Sequence, residues 1–136
     1  MIHAVDSLKL LLALDELAPA LGLAEPPALC LQVNTSAEPS KHGWTDEELL
    51  RDSASIAGVR HIPLAGLMTM APLGTEGEST RPYFARLRVL RDRLAGELGR
   101  PLPHLSMGMS GDFEAAIAEG ATLVRVGSAL FEGVGT

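Results

Sequence analysis

The chain has 136 residues, 46% apolar, 21% charged and 4% aromatic, with 11 Lys and Arg against 17 Asp and Glu for a net charge of −6. This excludes intrinsic disorder, suits one domain with a core rather than two, and argues against an electrostatic footprint for nucleic acid or anionic lipid. The single cysteine, Cys30, excludes an internal disulfide or a thiolate metal site and suits a reducing cytoplasm.

No apolar run approaches the ~20 residues that cross a bilayer, and the N-terminus lacks the basic and apolar regions of a signal peptide. The expectation is a cytoplasmic protein.

Along the chain, short apolar runs alternate with segments of helical period. Ile2-His3-Ala4-Val5 is the first run. A helix follows, with Asp6 or Ser7 as N-cap, Leu8, Leu11, Leu12, Leu17 and Leu21 on one face, and Gly22 closing it. Pro26-Pro27 breaks the chain before Leu29-Cys30-Leu31-Gln32-Val33-Asn34, which reads as a strand buried on both faces. After a loop, Thr45 and Glu48 have capping-box spacing at the head of a helix running to about Ala57 and Gly58.

The next strand is Leu64 to Met70. A long helix from about Thr80 to Leu98 repeats Phe84, Leu87, Leu90, Leu94 and Leu98 at helical spacing, and Gly99 caps it. Leu105 to Ser110 reads as a strand, Asp112 to Glu119 as a short helix ending at Gly120, and Leu123 to Gly127 as the last strand. The order βα, four times over and then a strand, predicts a parallel sheet with right-handed crossovers. An open doubly wound sheet and part of a (β/α)8 barrel both fit. A full barrel takes about 200 residues or more, so the pattern alone slightly favours the open sheet.

Ligand chemistry in parallel α/β folds gathers at the C-terminal ends of strands. There the chain offers Asn34, Met70, the Ser106 to Ser110 stretch, and Arg125 with Gly127-Ser128. Small residues at two successive strand ends let backbone N–H groups approach an anion, with serine hydroxyls as further donors. They are also ordinary turn residues, and Ser110 could simply cap the next helix. Arg125, the one charge in an apolar strand, should face a ligand or a buried acid.

Other constellations fail. Gly108-Met109-Ser110-Gly111-Asp112 misses the nucleophile-elbow pattern at Asp112. The four histidines lack ligand spacing, and Cys30 reads as an inert buried thiol. The arginines of the long helix read as a solvated face. Lys9 and Lys41, the two lysines, lie on a helix and in a loop rather than at a strand end.

Gln32-Val33-Asn34-Thr35-Ser36 with Glu38, Ser40-Lys41-His42-Gly43, Gly66-Leu67-Met68, Leu105 to Ser110, and Val124 to Phe131 together resemble the pyridoxal 5′-phosphate (PLP) homeostasis proteins (YggS/PROSC), relatives of the alanine racemase N-terminal barrel. The resemblance runs in order along nearly the whole chain. It implies a partial TIM (β/α)8 barrel, a single incomplete PLP-binding domain over residues 1–136, holding about strands 4 to 8. Ile2-His3-Ala4-Val5-Asp6 matches the fourth strand and Val124-Arg125-Val126-Gly127 the eighth, so the Schiff-base lysine is expected to be absent from this chain. After Phe131, Glu132-Gly133 departs from the family pattern.

Carried over, the family's phosphate contacts fall on Ser106, Ser110, Gly127 and Ser128, and Arg125 matches the arginine facing the pyridine nitrogen. Asn34 and Met68 line the same mouth, whereas Lys41 and Gly43 match a loop without an assigned role. The implied function is PLP binding in vitamin B6 and amino-acid homeostasis, as a carrier and regulator without turnover. Its implied partners are PLP and PLP-dependent apoenzymes, not nucleic acid or membrane. The full-length form is expected to be a monomer, while this length is open to self-association. Two alternatives stand beside it: a PLP-dependent racemase-like enzyme, and a half-barrel interaction scaffold with open edges.

Overall fold

The computed structural model describes residues 1–134. Four short strands, β1 (Ile2–Val5), β2 (Leu29–Gln32), β3 (Leu64–Met68) and β4 (His104–Ser106), form one parallel sheet in the order β1-β2-β3-β4. β2 and β3 are continuous apolar runs because both of their faces are covered.

The period of two sorts their side chains. Val5, Leu29, Leu31, Leu67 and Leu105 join the main hydrophobic core beneath the helices. Register aligns Cys30, Gly66 and His104 in one row, and Gln32, Met68 and Ser106 in the next, on the opposite face. That face is concave: His3 of β1 reaches Ser106 of β4 at 2.7 Å although two strands stand between them.

The helices pack on the convex face. Ser7 caps α1 (Leu8–Leu17), its hydroxyl accepting from the Leu10 N–H. The stripe that packs is Leu8, Leu11, Leu14 and Ala18, at spacings of three and four. Leu12, Leu17 and Leu21, expected on that stripe, are instead 45%, 57% and 64% exposed. They lie about a quarter-turn or more off the contact line, so the expected stripe was too wide. Asp15 pins α1 to the approach to β3, accepting the N–H groups of Arg60, His61 and Ile62. Burial acts to raise its carboxyl pKa, but these donors hold it below the usual range.

The Thr45–Glu48 capping box opens α2 (Asp46–Arg51) as expected. The single helix expected to run on to Ala57 is broken at Asp52, whose carboxylate accepts the Trp44 indole N–H at 3.0 Å, and it resumes as α3 (Ser53–Ala57). α4 (Arg81–Leu98) buries Phe84, Leu87, Leu90 and Leu94 and ends at Gly99 in the left-handed conformation. Its outer charges pair within the chain. Arg81 and Arg88 converge on Glu119, and Arg86 meets Asp46. Hydrogen bonds from the two arginines hold the Glu119 carboxyl below the usual range against the effect of burial.

Three strands stop early. β2 ends at Gln32, β3 at Met68 and β4 at Ser106, short of the expected Asn34, Met70 and Ser110, and beyond β4 Gly108 turns the chain with φ +98°. The predicted last strand, Leu123 to Gly127, does not form. Leu123 makes an isolated bridge to Ser106, and the segment bonds to β4 and its loop on one side only. The Leu123 bonds go to Leu105 and Met107, and beyond Met107 the partner segment turns away at Gly108, so the bridge at Leu123 does not extend into a ladder. α5 (Phe113–Ala118) and α6 (Ser128–Phe131) complete the chain. No described helix is long and apolar enough to cross a membrane.

Candidate functional site

The loops after β2, β3 and β4 and the Leu123–Ser128 segment meet at the C-terminal end of the sheet. Arg125 is the centre of this region. Its backbone N–H donates to the Gly108 carbonyl, and its Nη2 donates to the Thr69 carbonyl at 2.9 Å. Its Nε is buried without a partner among the described residues. Burial lowers the guanidinium pKa, opposed by the Asp112 carboxylate. The residue was expected to face a ligand or a buried acid. A carbonyl takes one donor, and Nε is left open.

Ser110 is not the cap of α5. Its hydroxyl accepts the Ala129 N–H at 3.2 Å, while the Asp112 carboxylate takes the Met109 N–H. This bond ties the loop after β4 to the Gly127-Ser128-Ala129 turn, so Ser110, Gly127 and Ser128 are brought together beside the segment that carries Arg125. Gly127 and Ser128 are exposed, and a Cβ at Gly127 would meet no atom within 4 Å. The turn therefore has room for a group that approaches its backbone.

Ser106 and Met68 lie apart from this turn. They are register partners on the concave face, 0% and 3% exposed, and the Ser106 hydroxyl is engaged by His3 Nδ1. Burial first, and then the positive charge of Arg125, keep the His3 pKa below its ordinary value. Asn34 shapes its own loop, donating to the Glu38 carbonyl and accepting from the Ser36 hydroxyl. Lys41 has a structural role that its sequence context did not reveal. Its ammonium pairs with Glu38 and donates to the Ala71 carbonyl at 2.8 Å, stapling the loop after β2 to the loop after β3. Gly43 has φ +107°, and a Cβ there would sit 2.6 Å from the Gln32 carbonyl oxygen, so only glycine lets that loop close on β2.

Sequence reasoning missed Thr69, Thr35 and His3. The usable signal for Thr69 was a lone hydroxyl in the apolar run Leu67-Met68-Thr69-Met70. The role of His3 depends on sheet curvature and left no local trace. Cys30 is fully buried on the concave face, which pushes its thiol up to about 11, in keeping with an inert thiol. No group of three or more His, Cys, Asp or Glu among the described residues is placed to hold a metal ion.

A parallel βα sheet with its polar mouth at the strand C-termini, holding a half-buried arginine and a serine–glycine turn, is an α/β fold of the kind whose ligands gather at that end. The profile of the alanine racemase N-terminal domain matches residues 1–134, and the chain belongs to that family. Within the family it is similar to the pyridoxal phosphate homeostasis protein of Pseudomonas aeruginosa, 45% identical over 130 residues that cover 96% of this chain and 54% of the relative. It is also similar to PipY of Synechococcus elongatus PCC7942, a structure with PLP bound, at 39% identity and a TM-score of 0.85, covering 96% of this chain and 59% of that one. The alanine racemase of Clostridium difficile 630, at 20% identity and a TM-score of 0.68, shares the fold, covering 94% of this chain and 35% of that one. The chain spans about half the length of the curated relatives it matches.

Proposed function

We propose that this chain is the phosphate- and ring-nitrogen-holding part of a PLP-binding barrel, in which the cofactor is bound and buffered without turnover in vitamin B6 and amino-acid homeostasis. One observation carries the reading. Arg125 is half-buried, with its Nε buried and unpaired among the described residues, beside the turn where Ser110 meets Gly127 and Ser128. A buried, unsatisfied guanidinium donor costs stability unless something accepts from it, and the adjoining turn has the donors and the space for an anion.

The residues present fit the phosphate and ring ends of PLP. Ser110 and the backbone of Gly127 and Ser128 would hold the phosphate. Arg125 can only donate, so it would meet the pyridine nitrogen at its lone pair and oppose protonation there. Asn34 and Met68 would wall the mouth, and Ser106 would contribute from the concave side while bonded to His3. Bound PLP supplies an electron-withdrawing ring and a reactive aldehyde. An arginine that keeps the ring nitrogen unprotonated weakens that ring as an electron sink, which is in keeping with a carrier. PLP-dependent apoenzymes are the proposed recipients, in the cytoplasm.

The four strands and the Leu123–Gly127 segment correspond in this reading to about the fourth to eighth strands of the barrel. The covalent lysine then belongs to the part of the relatives that this chain does not match. Lys41 is committed to Glu38 and Ala71, and Lys9 is exposed on α1. The test is PLP titration by calorimetry, followed by borohydride reduction and intact-mass measurement. Reversible binding that inorganic phosphate competes away, without a stoichiometric adduct, is the expected result. A heat-silent titration overturns the cofactor reading, and a stoichiometric adduct overturns its non-covalent form.

A second reading, self-association as a half-barrel, is favoured by the exposed Leu17, Leu21 and Leu23 around an apolar cavity of about 150 Å³. Concentration-dependent light scattering tests it, and a mass fixed at the monomer value across concentrations removes it.

A further inference from the structure

We infer that Thr69 is the positioning residue of Arg125, through a hydroxyl that ties the end of β3 to the end of β2. The link to cofactor rests on the function proposed above, but the mechanical claim does not.

Thr69 follows β3 and is 0% exposed. Its N–H donates to the Ser106 carbonyl on the β4 side. Its hydroxyl donates to the Val33 carbonyl, just past β2, at 2.7 Å. Thr35 Oγ1 stands 3.0 Å from the same hydroxyl. A threonine hydroxyl has one proton, and here it goes to Val33. Thr35 must therefore be the donor in the second contact. The Thr35 carbonyl in turn accepts from Arg86 Nη1 at 3.2 Å, which anchors the relay on α4.

The Thr69 carbonyl is held in this way from both sides, and it is the acceptor for Arg125 Nη2 at 2.9 Å. A guanidinium is a planar fork, so fixing one terminal nitrogen fixes the direction of the remaining donors, Nε among them. Asp112 is the carboxylate whose charge acts on Arg125, and it makes no hydrogen bond to it among the described residues. The orientation therefore depends on one carbonyl, which the hydroxyl holds from the β2 side and the Thr69 N–H from the β4 side.

Thr69→Val keeps the shape and removes the hydroxyl, and Thr69→Ser keeps the hydroxyl. The first readout needs no ligand. The Arg125 Nε–H signal is assigned in a proton–nitrogen correlation spectrum by its loss in Arg125→Lys. It is expected to exchange slowly in the parent chain and in Thr69→Ser, and to broaden or exchange at least ~10-fold faster in Thr69→Val, the factor for losing about one hydrogen bond. An unchanged Arg125 signal in a Thr69→Val protein with a native amide spectrum overturns the inference. Should Thr69→Val fail to fold, Thr35→Val removes only the outer hydroxyl, and the same broadening is expected; its absence counts equally against the relay.

The second readout is PLP affinity in a double-mutant cycle. Thr69→Val is expected to weaken binding about tenfold in the parent and to have no further effect in Arg125→Gln. Equal losses in both backgrounds would show that Thr69 acts on the whole mouth rather than through Arg125, and would overturn the inference. A parent chain that binds no PLP removes the cofactor reading alone, because the spectrum still decides the role of Thr69.

Discussion

Replacing Gly66 with alanine puts the strand pairing to a direct test. Gly66 stands opposite His104 in the β3–β4 ladder, and a Cβ built there falls 1.9 Å from the His104 carbonyl oxygen. A carbon and an oxygen tolerate roughly 3.2 Å, so the strands must separate by about 1.3 Å at that point. The separation cannot stay local. Leu67 packs beside Leu105 in the next register position, both 0% exposed, and the Thr69–Ser106 backbone bond closes the far end of the pair.

Overpacking of this kind costs about 1–3 kcal/mol, and each weakened ladder hydrogen bond adds about 1 kcal/mol. A loss of about 3 kcal/mol is expected, which for a chain of this size lowers the melting temperature by about 10–15 °C. Gly96→Ala is the matched control. It lies inside α4 with nothing within 4 Å of its built Cβ, so the same methyl group should stabilise by about 0.5–1 kcal/mol. Thermal and urea unfolding of the two variants decide the matter. A Gly66→Ala protein melting within about 2 °C of the parent, at most roughly a fifth of the expected loss, would refute the close-approach argument.

The other predictions concern the mouth and the concave face. Arg125→Gln should weaken PLP binding about tenfold, and unchanged affinity by calorimetry would sink the proposed ring orientation. The His3 pKa is depressed in the folded chain, so below the unfolded value near 6.5 the unfolded state takes up a proton that the folded state refuses. Its contribution is full above that pH and is lost as pH falls through the folded value. Urea midpoints at pH 7.5 and 5.5 should show a drop that His3→Gln reduces, and an equal drop in the variant would refute it. Cys30, fully buried and with its thiol pushed up to about 11, should resist iodoacetamide at pH 8 until the chain unfolds. Rapid labelling of the native protein would contradict that burial.

Much of this protein is legible locally, because each signal is satisfied by its own neighbours. The Thr45–Glu48 box needs only one helical turn, Gly99 needs only its own left-handed φ, and the apolar runs of β2 and β3 report burial on both faces directly. The motifs around Ser110 and Gly127-Ser128 also stood out, since small residues at strand ends are visible one residue at a time.

Other features depend on what lies across the sheet. Leu123 to Gly127 has the composition of a strand, but a strand requires a ladder, and its neighbour β4 ends at Ser106 and turns away at Gly108 after a single bridge. Leu12 and Leu17 have the composition of core residues, yet only the path of α1 over the sheet selects Leu11 and Leu14. The curvature that brings His3 to Ser106, and the loop closure that places Thr69 under Arg125, join residues 103 and 56 positions apart. Apolar pattern and capping act within a few residues and are written in the chain. Curvature and the direction of a buried guanidinium are set by contacts between distant segments, and only the tertiary structure decides them.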